Sequence, residues 1–305
     1  MPQISDVAVI IATYNRAQHL AQVIDALGKQ SVLPAIVAIA DSSDEKDCLT
    51  NQLSVSRSRL NIKHLNSTVK SLTQQKNMAL NAILSHPGIR FVQVLDDDTI
   101  PDSNHLEILR NTLLNHPDTV GVSGITIPKW EKPNTPALIR AAFRLCGLDS
   151  LVCGRVTAAG IGIPIDSSLQ KAQESQWLYG CSMWRRDIFL QHQYAPDFLG
   201  SGLFEDVEFS TRVRHLGKLL VNPSAVLVHR MAESGRPEDF LYAYRFVRNR
   251  RRVIHNLQTK RSLLLFPLSI ILQAAVYATK RKKRRHLLHG TIQAIIDDFR
   301  GKPLR

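Results

Sequence analysis

The sequence predicts an α/β fold: a doubly wound mixed sheet followed by a C-terminal helical extension. Three observations predict it. Short apolar runs alternate with stretches of helical periodicity over residues 7–127. Those runs end in polar or acidic residues, as strands do where an open sheet binds ligands. The charge then changes abruptly: residues 1–240 hold 23 Lys+Arg against 24 Asp+Glu, and residues 241–305 hold 16 against 2.

The elements follow in order. Residues 7–12 are an apolar strand that breaks into Thr13, Tyr14, Asn15 and Arg16. Residues 19–27 place Leu20, Val23, Ile24 and Leu27 on one helical stripe, and Gly28 stops it. Residues 35–40 form a second strand ending at Asp41, and strand–helix–strand is the βαβ rhythm. A short third strand is read at 61–65, a helix at 72–84 and a strand at 91–95. A helix at 106–114 and a strand at 120–127 continue the pattern. Pro128, Pro133 and Pro136 open a loop region, with a turn at Gly160 and Gly162, and residues 128–176 read as the ligand-facing part of the same domain. A strand at 177–184, helices at 187–190 and 204–216, and a final strand at 219–228 broken by Asn222 and Pro223 complete it. The expected division is a domain over 1–240 and a basic, apolar tail over 241–305.

The chain is long enough, at 305 residues with 44% hydrophobic content, to bury a large core. Its four cysteines, Cys48, Cys146, Cys153 and Cys181, lack CxxC spacing, which suggests neither a zinc site nor a disulfide framework. No leader sequence is read at the start, and a reducing cytosol is expected. Neither GxGxxG nor GxxxxGK[ST] occurs, which disfavours a dehydrogenase and a P-loop enzyme.

The triplet Asp96, Asp97, Asp98 at the end of the 91–95 strand carries the chemistry. Three adjacent carboxylates repel one another and raise each other's pKa unless a cation neutralises them. Oxygen ligands of this kind suit Mg²⁺ or Mn²⁺ with open positions for phosphates. A solvated acidic turn is the alternative. Asp41 sits at a neighbouring strand end, where it either accepts hydrogen bonds from a ribose or base or caps a turn. Glu205 and Asp206 begin a helix, where the macrodipole favours negative charge whether or not they serve catalysis. Glu208 and Arg212 are spaced for an ordinary i,i+4 ion pair.

Taken in order, IATYNR at 11–16, ADSS at 40–43, LTQQKN at 72–77, LDDDT at 95–99, WLYGCSM at 177–183 and Glu205-Asp206 with Arg212 behind resemble a family-2 glycosyltransferase. The resemblance covers residues 6–232 and implies the GT-A fold, a Rossmann-like sheet of the nucleotide-diphospho-sugar transferases. It implies that Thr13 and Asp41 bind the donor nucleotide, with Tyr14, Asn15, Arg16, Asn77, Asp96 and Asp97 around it. It implies a divalent cation, Mn²⁺ or Mg²⁺, on Asp98 and Asp96, with His229 reaching it. Asp206 is then the general base, and Trp177, Gly180 and Glu205 face the acceptor. Lys76 stands where many relatives carry Arg, which keeps the charge and loses the bidentate fork.

The expected function is an inverting, metal-dependent hexosyl- or deoxyhexosyl-transferase. It would move sugar from a UDP- or dTDP-linked donor to a glycan or lipid-linked acceptor in envelope polysaccharide synthesis. A sugar nucleotidyltransferase would need a glycine-rich basic loop where Thr13 to Arg16 stand, and a non-catalytic membrane adaptor would have no use for Asp98 and Asp206. Residues 262–279 carry no formal charge and lie between basic clusters. They are read as a helix or hairpin on an anionic membrane surface, placing the protein at the cytoplasmic face of the cell membrane; spanning the bilayer and packing against the body are the alternatives. Residues 242–249 and 296–301 also resemble the tails of membrane-associated relatives that extend polysaccharides. Nucleic acid is not an expected partner, because the basic run lacks interleaved aromatics.

Overall fold

The computed structural model describes residues 3–128, 135–166, 168–230, 238–280 and 282–302. Pro133 of the expected loop and Arg281 of the basic run lie outside them.

The strands are β1 (Gln3–Ile4), β2 (Val7–Thr13), β3 (Val32–Leu33), β4 (Ile36–Asp41), β5 (Ile62–Asn66), β6 (Phe91–Asp96), β7 (Thr99–Pro101), β8 (Thr119–Ile127), β9 (Gln173–Ser175), β10 (Ser182–Arg185) and β11 (Lys218–His229). The helices are α1 (Ala17–Leu27), α2 (Glu45–Arg57), α3 (Leu72–Ile83), α4 (His105–Asn115), α5 (Ala137–Leu145), α6 (Arg186–Gln191), α7 (Glu205–Val213), α8 (Asp239–Leu257), α9 (Lys260–Ala278) and α10 (Arg284–Phe299).

The main sheet runs β5-β4-β2-β6-β10-β8-β11-β7, with β9 also on β11. Strands β5, β4, β2 and β6 are parallel, and β10 enters antiparallel between β6 and β8. The expected mixed, doubly wound sheet is therefore present. Its alternation is visible residue by residue. Ala8, Ile10, Ala38, Ala40, Val92 and Val94 face a core closed by Leu80 and Ile83 of α3 and Phe209 of α7. Val7, Val9, Ile11, Val37, Ile39 and Leu95 face the opposite core, closed by Leu20, Val23 and Leu27 of α1 and Leu109 and Leu113 of α4. Burial on both faces explains why these strands read as unbroken apolar runs.

Several elements differ from expectation. Helix α2 was not expected, because its sequence is polar and buries only Asn51. Helix α5 and β9 lie inside the stretch read as loop. The strand expected at 177–184 is only Ser182–Arg185. The final strand does break near Pro223, with a register shift between Val221 and Val226.

The boundary expected at residue 240 falls within the first turn of α8. Val253 of α8 packs with Val156, Trp177 and Val207, and Asn249 Nδ2 donates to Leu203 O at 2.8 Å. Helix α10 is then bound to α8 by Tyr244–Asp297 and Arg248–Asp298 contacts. At Gly290 a Cβ would lie 2.3 Å from Phe240 O, so only glycine allows this approach of the two helices. The tail is thus built onto the body through α8.

Candidate active site

The C-terminal ends of the parallel strands set the site. Thr13 ends β2 and is paired in register with Asp41 of β4, and Ala12 is paired with Asp96 of β6. Thr13, Asp41 and Asp96 therefore occupy adjacent strand ends before any side-chain choice is made. A cleft of about 450 Å³ opens over them, lined by Thr13, Tyr14, Arg16, Asp96, Asp97, Asp98 and His229. It also takes in Lys70, Gln75 and Arg245, which the sequence did not single out.

Asp97 and Asp98 of the acidic triplet find partners within the chain. Thr13 Oγ1 donates to Asp97 Oδ2 at 2.8 Å. Arg16 Nη1 lies 2.9 Å from Asp97 Oδ1 and 3.3 Å from Asp98 Oδ2. Burial raises the Asp97 carboxyl to about 6 despite the opposing pull of Arg16 and Thr13. His229 Nε2 lies 3.3 Å from Asp98 Oδ1, and that hydrogen bond raises the imidazole pKa. The carboxylate oxygens suit Mn²⁺ or Mg²⁺. The residues expected to hold a cation, Asp96, Asp98 and His229, all line the cleft, and of these Asp98 and His229 are in contact.

Asp41 lies one strand away and is buried. It accepts from Ser43 N at 2.8 Å and Asn51 Nδ2 at 2.7 Å, and it lies 2.9 Å from His64 Nε2. Burial acts to raise its pKa, but those hydrogen bonds prevail and hold it down at about 2. Asp41, Cys48 and His64 bring one ligand atom each within 4.8 Å of one another, the one such grouping of three among the described residues.

Asp206 and Glu205 open α7 after Phe204, whose backbone is left-handed at φ 70. Glu205 Oε1 receives Lys76 Nζ at 2.7 Å, both side chains being buried. Gly180 faces the point where these groups meet: a Cβ there would lie 3.5 Å from Lys76 Nζ and Glu205 Oε1 and 3.8 Å from Asp96 Oδ2. Burial acts to lower the pKa of Lys76, and Glu205 overrides it to keep the ammonium charged. Burial raises the carboxyls of both Glu205 and Asp206, with Lys76 opposing. The partner of Lys76 left open by the sequence is thus a carboxylate.

Three predicted residues do other work. Asn77 spends its amide on Tyr194, donating to its O at 2.8 Å and accepting from its N at 3.0 Å, and it does not line the cleft. It ties α3 to the loop after α6. Asn15, at φ 52, clasps the turns after β2 and β4 through Ser43 and Asp44. Trp177 is buried, with Nε1 donating to Ile163 O at 2.9 Å and its ring edge-on to Tyr179. It forms a wall under α7 and offers no open face to a sugar. Arg245 lies in the 242–249 stretch read as a membrane-associated tail, far from the strand ends in the chain, and nothing in that stretch marks it as a cleft residue.

The family model for glycosyl transferase family 2 matches residues 8–163. The chain belongs to that family. This glycosyltransferase has no match among curated protein sequences. It is similar in fold to S. aureus TarS, at 14% identity and a TM-score of 0.54, over 96% of this chain and 54% of that one. It therefore spans about half the length of that structure. The structure of S. aureus TarS 1–349 in complex with UDP-GlcNAc matches at 12% identity and a TM-score of 0.55, covering 98% of this chain and 93% of the other. The complex of the same fragment with UDP matches at 12% identity and a TM-score of 0.51, with the same coverage.

Proposed function

We propose that this family-2 glycosyltransferase moves a sugar from a nucleoside diphosphate donor to an acceptor hydroxyl by single displacement, inverting the anomeric carbon. The observation that carries the reading is one cleft in which Arg16 and Asp96, Asp97 and Asp98 at strand ends meet His229 and Arg245 from later in the chain. The side chains divide the work. Arg16, Lys70 and Arg245 bring positive charge to a cleft suited to a diphosphate. Asp98 and His229, supported by Asp96, would hold a divalent cation; when bound, it supplies Lewis-acid stabilisation of the leaving diphosphate. Asp206 takes the proton from the attacking hydroxyl. Its burial, which raises its pKa toward working pH, makes it a better base than a solvated aspartate. Glu205, fixed by Lys76, positions the acceptor side of the site.

The fold shared with the S. aureus TarS structures, one of them in complex with UDP-GlcNAc, supports a uridine donor. dTDP donors share that base chemistry. A glycan or lipid-linked glycan of envelope polysaccharide is the proposed acceptor, reached at the cytoplasmic face of a membrane. A thermal-shift screen of nucleoside diphosphates with and without Mn²⁺ tests the reading. UDP or dTDP with Mn²⁺ should stabilise the protein by about 2.7 kcal/mol at a hundredfold excess over Kd. No shift with any nucleotide in either condition would sink it.

A further inference from the structure

Away from the donor cleft, a second cavity of about 540 Å³ lies between the turn that follows α5 and the start of α9. Arg144, Arg155, Arg214 and Arg261 line it, and Asp149 is its only acid. Arg144 lies 3.9 Å from that Asp149. Arg155, Arg214 and Arg261 have no ion-pair partner among the described residues. A cavity with three uncompensated guanidinium groups is built for an anion.

The rim says which kind. Helix α9 buries Ser262, Phe266, Ser269, Ile270 and Tyr277 on one side. Its other side exposes Leu263, Leu264, Leu268 and Ile271, equally apolar and uncovered. Across the cavity, Leu145 is 77% exposed and Leu151 76%. The two rims adjoin, since a Cβ at Gly147 would lie 3.6 Å from Leu265 Cδ1. A soluble anion needs the cations and has no use for the leucines. An alkyl chain attached to a phosphate uses both.

We propose that this cavity receives the phosphate headgroup of an anionic phospholipid, with the outer face of α9 and the leucines after α5 resting among the acyl chains. The docking surface joins two segments more than a hundred residues apart in sequence, so it is larger than the basic tail alone. Charge complementarity selects the occupant, since the negative surface potential of an anionic leaflet attracts basic residues placed close to it. The inference stands on this cavity and does not depend on the donor or metal chemistry.

The test uses the full chain, co-sedimented with vesicles of phosphatidylcholine alone or with phosphatidylglycerol added. The protein should sediment with the second and not with the first. Arg155→Gln with Arg261→Gln should lower partitioning about tenfold or more. Leu263→Ser with Leu264→Ser should also weaken it. Lys46→Gln with Arg57→Gln, which removes two charges from α2, should bind as the unaltered protein does. An unchanged urea-unfolding midpoint in each variant shows that the fold is kept. Equal binding by the two-arginine variant overturns the proposal. So does an equal loss in the α2 variant, which points to net charge alone, and so does binding to phosphatidylcholine alone. Binding of inorganic phosphate by the full chain in calorimetry, together with no sedimentation on phosphatidylglycerol vesicles, assigns the cavity to a soluble anion. Displacement from vesicles by RNA assigns it to nucleic acid. Either result also overturns the proposal.

Discussion

Lys76 Nζ lies 2.7 Å from Glu205 Oε1, with side-chain exposures of 1% and 7%, and so joins α3 to the first residue of α7. The pair fixes the helix that presents Asp206. A buried ion pair gains little net stability over an apolar replacement, but breaking it strands a charge. Lys76→Met should therefore cost about 3–5 kcal/mol, while Lys76→Met with Glu205→Leu should recover much of that loss. Urea unfolding at constant m-value reads both. A single variant as stable as the parent would mean that Glu205 finds another cation.

Asp206 can be separated from the donor site by kinetics. Asp206→Asn keeps the size and the hydrogen bond to Val207 N, now 2.8 Å, but cannot take a proton. Turnover should fall by about 10²–10⁴ while UDP affinity, read by calorimetry, stays nearly the same. Retained turnover removes Asp206 from the base role.

Asp98 makes the complementary case. It sits between Arg16 and His229, and Asp98→Ala removes the carboxylate while leaving both of those side chains in place. Mn²⁺ should no longer strengthen UDP binding in a calorimetric titration, although metal-free binding through Arg16 should persist. A Mn²⁺ effect of the original size moves the cation elsewhere, and Asp41, Cys48 and His64 are the next place to look.

The parts legible in the sequence were those with one physical meaning. Strands β2, β4 and β6 are buried on both faces, so their apolar runs had no competing reading. Three carboxylates at the end of β6 stood out because uncompensated charge is costly. Helix α2 was invisible for the opposite reason: with only Asn51 buried, it has no apolar stripe to detect. Asn77 and Trp177 have the chemistry of ligand-binding residues, and only their partners, Tyr194 and Ile163, show that they brace the site. The charge step at residue 240 suggested a boundary, yet Arg248 and Arg251 of α8 are paired with Asp298 and Arg252 with Asp197 of the body, which makes that helix structural.

That placement changes what truncation should do. Arg245 lines the donor cleft beside Gly200, where φ is +63 and a Cβ would lie 2.5 Å from the guanidinium Nη1. Arg245→Ala should weaken UDP binding about tenfold, the loss of one charge-assisted contact. Gly200→Ala should have the same sign through displacement of that side chain and backbone strain. Deleting residues 241–305 should abolish nucleotide binding together with the fold, because it removes Arg245 and exposes Val207 and Trp177. A truncated protein that still binds UDP would show that α8 is dispensable.

His105 gives a pH test remote from the cleft. It is fully buried at the start of α4, and burial lowers its pKa from 6.5 to about 4. The positive end of the helix dipole opposes its protonation as well. Between those two values the unfolded chain binds the proton and the folded chain does not. Stability attributable to this group is therefore complete above about pH 6.5 and declines as pH falls toward 4, by about 1.4 kcal/mol per unit. His105→Leu keeps an apolar side chain of similar bulk and cannot titrate. The stability difference between the parent and this variant, measured by urea unfolding at about pH 7.5 and about pH 5, should shift in favour of the variant at the lower pH. A difference that stays constant between the two conditions would show that His105 is not held neutral by the fold.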